Sequence, residues 1–175
     1  MFDSLKDLFR RHSLRKNAST VPTGIVPMAQ VHSAAVFIDV EDPDFDACKR
    51  DIQAFFRRYG IKGDIFFFDF RKLTSGERLI TSITTTVLRK DLNWYDRPSR
   101  EKVKLLLDGQ PDMFISLLPG TPFPLTFMAT ASQARFKVGR EQLPVFDLVV
   151  KDPAGKALSQ REALQAIIVY LDKIQ

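Results

Sequence analysis

The sequence has few of the residues that catalysis and metal binding use most often. Cys48 is the only cysteine among 175 residues, so no internal disulfide bond and no cysteine-based metal cluster can form. The two histidines, His12 and His32, both precede the segment that is predicted to fold as a domain. A Ser-His-Asp or Cys-His catalytic group within that domain is therefore excluded, unless the N-terminal segment folds back onto it.

Long apolar runs and glycine-rich phosphate-binding motifs are missing as well. No apolar run approaches the roughly 20 residues of a membrane span, and the opening MFDSLKDLFRR lacks the apolar core of a signal peptide. VEDPDFD follows the first predicted strand, where a dinucleotide-binding domain carries GxGxxG, and no P-loop motif occurs. We therefore expect no cofactor, no metal ion and a cytoplasmic location.

Positive charge is concentrated near the N-terminus. The chain has a net charge of +5, and residues 1–32 contain five lysines and arginines but only two aspartates. Most of the excess charge thus belongs to this segment, while the remaining residues are nearly balanced. An anionic partner is expected to meet the N-terminal segment rather than the rest of the chain.

Residues 1–16 are predicted to form a basic amphipathic helix. Its apolar residues are spaced so that they share one face: Phe2, Leu5, Leu8 and Phe9. Its basic residues come late, where the helix dipole favours cations: Arg10, Arg11, Arg15 and Lys16. Residues 17–32 contain two prolines and a glycine without a sustained period, which predicts a linker or an extended arm.

The N-terminal helix has several possible partners. Its basic and apolar residues suit an anionic membrane surface, the phosphates of a ribosomal or other RNA-protein assembly, or a groove in another protein. The alternative is that its apolar face packs on the rest of the chain. The linker-like segment that follows favours an outward role.

Residues 33–175 alternate apolar strands with helices. SAAVFIDV, GDIFFFDF and PDMFISLLP are typical of parallel strands that are covered on both faces, and shorter strands are expected within residues 134–140 and 145–151. Helices are expected at 42–59, capped by Asp42, at 99–109, after Pro119 and at 159–175. This order predicts an α/β domain, a three-layer sandwich with a mainly parallel, Rossmann- or flavodoxin-like sheet. The stretch 71–98 is compatible with a short helix or an extended segment.

A doubly wound sheet would bind ligands at the carboxyl ends of its strands, near a switch point in strand order. The candidate cleft residues at these ends are Asp39, Asp69, Lys137, Arg140 and Lys151. The acidic stretch after the first strand and Lys151 resemble the magnesium site of receiver domains, which share this fold. The third strand, however, ends in SLLPG where such domains carry their phosphoacceptor aspartate, so helix capping and solvation are the favoured roles of these acids.

A polar loop offers a second candidate surface. Its residues combine two large aromatic side chains with an amide and a cation: Asn93, Trp94, Tyr95 and Arg97. Such a loop can hold a ligand or a partner protein, because large aromatic residues and arginine dominate many interfaces. The alternative is that Trp94 covers an edge of the sheet.

Two resemblances to known families cover different lengths of the chain. PDMFISLLPGTPFPLTFMATASQARFKVGR is similar to part of the N-terminal half of heptosyltransferase-like glycosyltransferases, with Ala134, Lys137 and Gly139 in the A-x-R-x-x-G stretch and Leu125 and Ala129 in the helix. This resemblance implies an acceptor-side domain without a donor site.

RKDLNWYDRP, the PDMFISL strand, FPLTFMATASQARFKVGR and the C-terminal helix together resemble an uncharacterised Bacteroidetes family. That resemblance implies a cytoplasmic bacterial protein and supplies no catalytic residues. The sequence thus favours a non-catalytic interaction module that docks through its N-terminal helix and the 91–97 loop. The rival interpretation is an enzyme that handles glycosyl or phosphate ligands in the strand-end cleft.

Overall fold

The computed structural model describes residues 1–72, 74 and 79–175. Its helices are α1 (Phe2–Asn17), α2 (Phe45–Tyr59), α3 (Arg100–Gly109), α4 (Phe123–Ala131) and α5 (Gln160–Leu171). Its strands are β1 (Ser33–Asp39), β2 (Lys62–Asp69), β3 (Thr86–Leu88), β4 (Met113–Ser116), β5 (Phe136–Gly139) and β6 (Leu148–Val149). Short 3-10 helices occupy Met28–Gln30 and Arg89–Asp91.

These strands form one parallel sheet in the order β3-β2-β1-β4-β5-β6. This is the strand order of a Rossmann-type doubly wound fold, and it reverses direction between β1 and β4. The predicted α/β class and Rossmann-like parallel sheet are therefore confirmed. The sequence predicted a switch point without locating it, and the strand order locates it beside the last residues of β1.

Helices cover both faces of the sheet because its central strands are apolar on both sides. Consecutive residues of β1, such as Val36 and Phe37, point to opposite faces of the sheet and belong to two separate core clusters. Phe37 stacks on Phe66 of β2 at 4.9 Å and on Phe114 of β4 at 4.5 Å between ring centroids. The phenylalanines of these strands therefore pack the core.

The core clusters assign the helices to layers. Residues of α2 and α5 share a cluster with one face of the sheet, while residues of α3 and α4 share a cluster with the other face. Helix α1 packs on the outer side of α4, and its Leu14 reaches the second cluster. The three-layer sandwich therefore carries the N-terminal helix as an addition to its α3/α4 layer.

The predicted start of α2 was wrong. The helix begins at Phe45, so Pro43 does not occupy its first turn and Asp42 does not cap it. Instead, Oδ2 of Asp42 accepts a hydrogen bond from the backbone amide of Gln160, at 2.9 Å, and thereby caps the N-terminus of α5. The Ser159–Glu162 capping box predicted for the same helix is confirmed.

The region 71–98 contains both kinds of structure that its sequence allowed. The threonine-rich part ends in the short strand β3, which pairs with β2, and a 3-10 helix follows at once. Residues 73 and 75–78, which also belong to this region, lie outside the described residues. An antiparallel bridge between Leu92 and Pro98 then closes the loop that carries Trp94.

Residues 18–32 bond to the body of the fold. The amide of Ser19 donates to the carbonyl of Thr130, and the amide of Gly24 donates to the carbonyl of Arg135, both at 2.9 Å. Met28 and Val31 are buried in the first core cluster. The segment is thus an arm that follows α4 and β5, which fixes where α1 leaves the fold.

Buried polar side chains fill the carboxyl ends of the two strands that flank the switch point. The side chain of the fully buried Gln160 accepts a hydrogen bond from the amide of Asp39 at 2.6 Å and donates one to its carbonyl at 2.8 Å. Both backbone groups of the last residue of β1 are therefore hydrogen-bonded. Arg140 donates to the carbonyl of Leu117, just after β4, at 2.9 Å. Side chains from α5 and from the end of β5 thus satisfy backbone groups beside the switch point, where other Rossmann-type folds bind ligands.

Replacing Gln160 with methionine should destabilise the fold without altering its shape. The change removes both bonds that Gln160 makes to the backbone of Asp39, whose carbonyl keeps only the 3.4 Å bond from the amide of Asp42. The expected cost is about 1 to 2 kcal/mol in the free energy of unfolding. Urea denaturation measures this cost. Gln165→Met, at an exposed position of the same helix, is the matched control, and equal stability of the two variants would contradict the assigned role.

Candidate functional site

Charged residues of helix α1 bind it to the body. Lys6 Nζ lies 2.8 Å from Oδ2 of Asp96, and Arg10 pairs with the same carboxylate. Arg10 also donates to the carbonyl of Tyr95 at 3.2 Å and lies over the ring of Phe123, 5.0 Å from its centroid. The side of α1 that faces the body is therefore largely polar.

Asp96 accepts these bonds from an uncommon backbone conformation. Its φ of +66° lies in the left-handed region, which aspartate and asparagine tolerate better than most residues. Burial alone would raise the pKa of Asp96, but the side chains of Lys6 and Arg10 outweigh it and hold the pKa below its ordinary value. The carboxylate thus stays ionised at neutral pH and anchors the helix.

Because charged residues face the body, the apolar residues of α1 remain exposed. Phe2 is 70% exposed and Leu8 is 61% exposed, and Leu5 and Phe9 also lie at the surface. Trp94 joins them: its ring lies 5.0 Å from that of Phe9 and 6.0 Å from that of Phe2. The two surfaces predicted separately, the helix and the 93–97 loop, therefore meet in one apolar surface. We call Met1, Phe2, Leu5, Leu8, Phe9 and Trp94 the apolar patch.

Basic residues continue the patch toward the end of α1. Arg11, Arg15 and Lys16 are exposed, and within the described residues none of them forms a salt bridge or a side-chain hydrogen bond. Lys16 follows Phe2, Leu5 and Phe9 at helical spacing, so it lies on the same face. The fourth predicted cation, Arg10, is instead paired with Asp96.

The loop that carries Trp94 is held by its own hydrogen bonds. Oδ1 of Asn93 accepts from the amides of Tyr95 and Arg97, at 3.1 and 2.9 Å. The guanidinium of Arg97 lies over the ring of Phe127 in α4, 5.1 Å from its centroid. Asn93 and Arg97 thus position the loop, while Trp94 presents its ring to solvent.

The strand-end candidates have different surroundings, and Asp69 lines a cavity of about 560 Å³ with Leu88 and Lys90. Asp69 is bound by the Arg71 guanidinium through both oxygens, at 2.8 and 2.7 Å, and this pairing keeps the pKa of Asp69 below its usual value despite burial. The buried Arg140 pairs with Asp152 at 2.8 Å. Lys151 is exposed. Burial raises the pKa of Asp39, although its carboxylate accepts a hydrogen bond from the amide of Glu41.

Lys137 lies in the interior of the α3/α4 side rather than at a cleft. Its residue is 2% exposed, and Nζ donates to the carbonyls of Ala129 and Ser132 at the end of α4, each at 2.7 Å. Burial lowers the pKa of Lys137 to about 8. Its ammonium therefore satisfies helix-terminal carbonyls, which is a structural use of a cation.

Sequence reasoning missed Asp96, Lys6 and Gln160. Lys6 and Asp96 form an ion pair across 90 residues of chain, and no local pattern connects such positions. Asp96 did carry a weak signal, because an aspartate after two aromatic residues in a polar loop is a common left-handed turn residue. Gln160 carried none beyond its place after the N-cap Ser159.

Within the described residues, no helix has the length and apolarity needed to cross a membrane. In the same part of the chain, no group of three or more histidine, cysteine or acidic residues is arranged to hold a metal ion.

Comparisons with known proteins give a family without an activity. Residues 6–174 match a protein family that is described as a family of unknown function, DUF6913. No curated protein and no solved structure matches the chain.

Asp96→Asn should loosen α1 while the body stays folded. Asparagine tolerates the left-handed backbone but lacks the charge that holds Lys6 and Arg10, so amide hydrogens of α1 should exchange about threefold to tenfold faster. Hydrogen-deuterium exchange of the full chain measures this change. Asp3→Asn, at an exposed position of the same helix, should leave the rate unaltered; an equal effect of both changes would refute the anchor.

Lys137 should make stability depend on alkaline pH. Its pKa is about 8 in the fold and near 10.5 when unfolded, so burial of its charge opposes folding below pH 8, and this penalty fades as the pH rises toward 10.5. Relative to Lys137→Met, the wild-type chain should gain about 2 kcal/mol of unfolding free energy between pH 7 and pH 10. If urea denaturation gives the same dependence of unfolding free energy on pH for the wild-type chain and for Lys137→Met, the role of Lys137 is refuted. Lys151→Met provides the control for an exposed lysine.

Proposed function

The chain belongs to the family of unknown function DUF6913, and we propose that it is a non-catalytic interaction module that docks on the surface of an anionic membrane. The apolar patch would enter the lipid interface, and the basic residues of α1 would contact headgroup phosphates. The observation that carries the proposal is the outward orientation of the apolar side chains of a helix whose charged residues hold it to the fold.

The exposure of these side chains is unfavourable in water. Burying a phenylalanine or leucine side chain is worth about 1.5 to 3 kcal/mol, and several such side chains stay exposed in the patch. Contiguous exposed apolar residues with a polar rim are typical of an interaction site. A tryptophan beside them suits the interface between lipid and water, where amphipathic aromatic rings concentrate.

The arrangement of charge favours a lipid surface over RNA. A helix that lies in a membrane interface has an apolar face flanked by lysine and arginine, and each basic residue near an anionic surface contributes about 1 kcal/mol. RNA phosphates would engage Arg11, Arg15 and Lys16 but would leave Phe2, Leu5 and Leu8 in water. A ribosomal or other RNA-protein assembly is therefore the second partner that the experiment must distinguish.

The enzyme alternative has less support from the geometry. Asp69, Lys137 and Arg140 are engaged in buried or paired structural roles, and Gln160 fills the end of β1. A cytoplasmic location at the inner membrane surface is the one in which an anionic leaflet would meet this patch.

Vesicle binding tests the proposal directly. The full chain should sediment with vesicles of phosphatidylcholine and phosphatidylglycerol, weakly or not at all with pure phosphatidylcholine, and less as salt increases. The double change Leu5→Ser/Leu8→Ser should reduce binding at least about tenfold, because it removes two exposed apolar side chains. Arg11→Gln/Arg15→Gln should reduce it by about the same factor or more, since two charges contribute about 2 kcal/mol.

Matched controls use the opposite layer of the fold. Val169→Ser alters an exposed apolar residue of α5, and Arg50→Gln alters an exposed cation of α2, so neither should affect vesicle binding. If the chain instead associates with RNA, the arginine changes should weaken that association and the leucine changes should leave it intact. That result, or full vesicle binding by the leucine variant, would refute the membrane proposal.

A further inference from the structure

A groove runs between the basic C-terminal end of α1 and helix α3. Its volume is about 520 Å³, which is within the range of small-ligand sites. Its cations come from three parts of the chain that only the fold brings together: Lys16 from α1, Arg97 from the loop, and Arg100 and Lys104 from α3.

The charges of the groove are not balanced. Two acids, Glu101 and Asp108, also line it, but Asp108 is paired with Lys104 one helical turn away. This leaves Lys16, Arg97 and Arg100 facing Glu101. Lys16 and Arg100 are exposed and form no salt bridge within the described residues, so their charges are available to a ligand.

Arg97 gives the groove a cation that is held in place, and its side chain also bonds to that of Tyr95. Stacking over Phe127 and the hydrogen bond from its own amide to Asn93 hold the residue in place. Its Nε is buried and has no hydrogen-bond partner within the described part of the chain. A second cavity, of about 330 Å³, is also lined by Arg97 and Arg100.

We propose that this groove binds a terminal phosphate group, held by Arg97 and Arg100 with Lys16 as a third cation. Arginine binds phosphate through two parallel N–H donors, and a pre-positioned guanidinium loses less freedom on binding than a free one. The phosphate can belong to a soluble phosphorylated compound or to a lipid headgroup. The site goes beyond membrane docking, because it does not require the apolar patch.

Titration of the isotope-labelled full chain with inorganic pyrophosphate, followed by amide chemical shifts, tests the site. Saturable shifts should appear at the end of α1 and the start of α3, with a Kd of about 0.1 to 1 mM, and sulfate should bind more weakly. Arg100→Gln, at an exposed position, should weaken pyrophosphate binding at least about fivefold. Arg97→Lys should weaken it as well, since lysine keeps the charge but lacks the paired donors.

Arg50→Gln is the control, because it removes one exposed cation from α2 on the opposite layer. The absence of saturable shifts up to about 10 mM pyrophosphate, or equal weakening by Arg50→Gln and Arg100→Gln, would overturn the proposal. Leu5→Ser/Leu8→Ser should lose vesicle binding yet retain pyrophosphate binding, which separates a failure of this site from a failure of membrane docking.

Vesicles identify the source of the phosphate. Phosphatidic acid presents a terminal phosphate, whereas phosphatidylglycerol carries its charge on a phosphodiester. If Arg100→Gln weakens binding to phosphatidic acid vesicles more than binding to phosphatidylglycerol vesicles of equal charge, the headgroup is a ligand of the groove. Equal weakening, together with retained pyrophosphate binding by the wild-type chain, assigns the groove to a soluble phosphate compound.

Discussion

The attachment of α1 through Asp96 determines which surface the molecule presents. An amphipathic helix on a globular domain ordinarily turns its apolar stripe toward the core. Here one carboxylate, held in a left-handed turn, binds Lys6 and Arg10 and so turns the charged side inward. The apolar stripe is left in water, where Trp94 extends it. A few partly exposed ion pairs are individually weak, so the arrangement also depends on the edge-to-face contact of Phe9 with Trp94 and on the packing of Leu14 against the core.

The Rossmann-type sheet serves as a scaffold in this chain. Its switch point would be the usual place for a ligand, but Gln160 and Arg140 satisfy the backbone at the ends of β1 and β4. A buried side chain that bonds to strand-end backbone adds stability and removes the free amides that would bind a phosphate. Fold class therefore says little about activity here, and the exposed apolar and basic residues lie on the outer surface of the α3/α4 layer.

Much of this architecture was predictable, because buried parallel strands are continuous apolar runs and helices carry a helical period. SAAVFIDV and PDMFISLLP identified β1 and β4 for that reason, and Ser159 with Glu162 identified the start of α5. The juxtaposition of the two candidate surfaces was not predictable, because the contact between Lys6 and Asp96 joins distant segments and depends on how the arm 18–32 follows α4 and β5. The capping role predicted for Asp42 was wrong for a related reason. An aspartate before proline is typical of the N-cap of the next helix, but tertiary packing places Asp42 at the start of α5.

The separation between scaffold and surface bears on how the two proposed binding sites relate. The apolar patch lies at the start of α1 and the phosphate groove at its end, so one helix belongs to both. Arg97 links them through the loop, since it lines the groove while Asn93 of the same loop positions the turn that leads to Trp94. The loop is held by its own hydrogen bonds, so neither ligand has to order it before binding, and the ordering cost of each site is low.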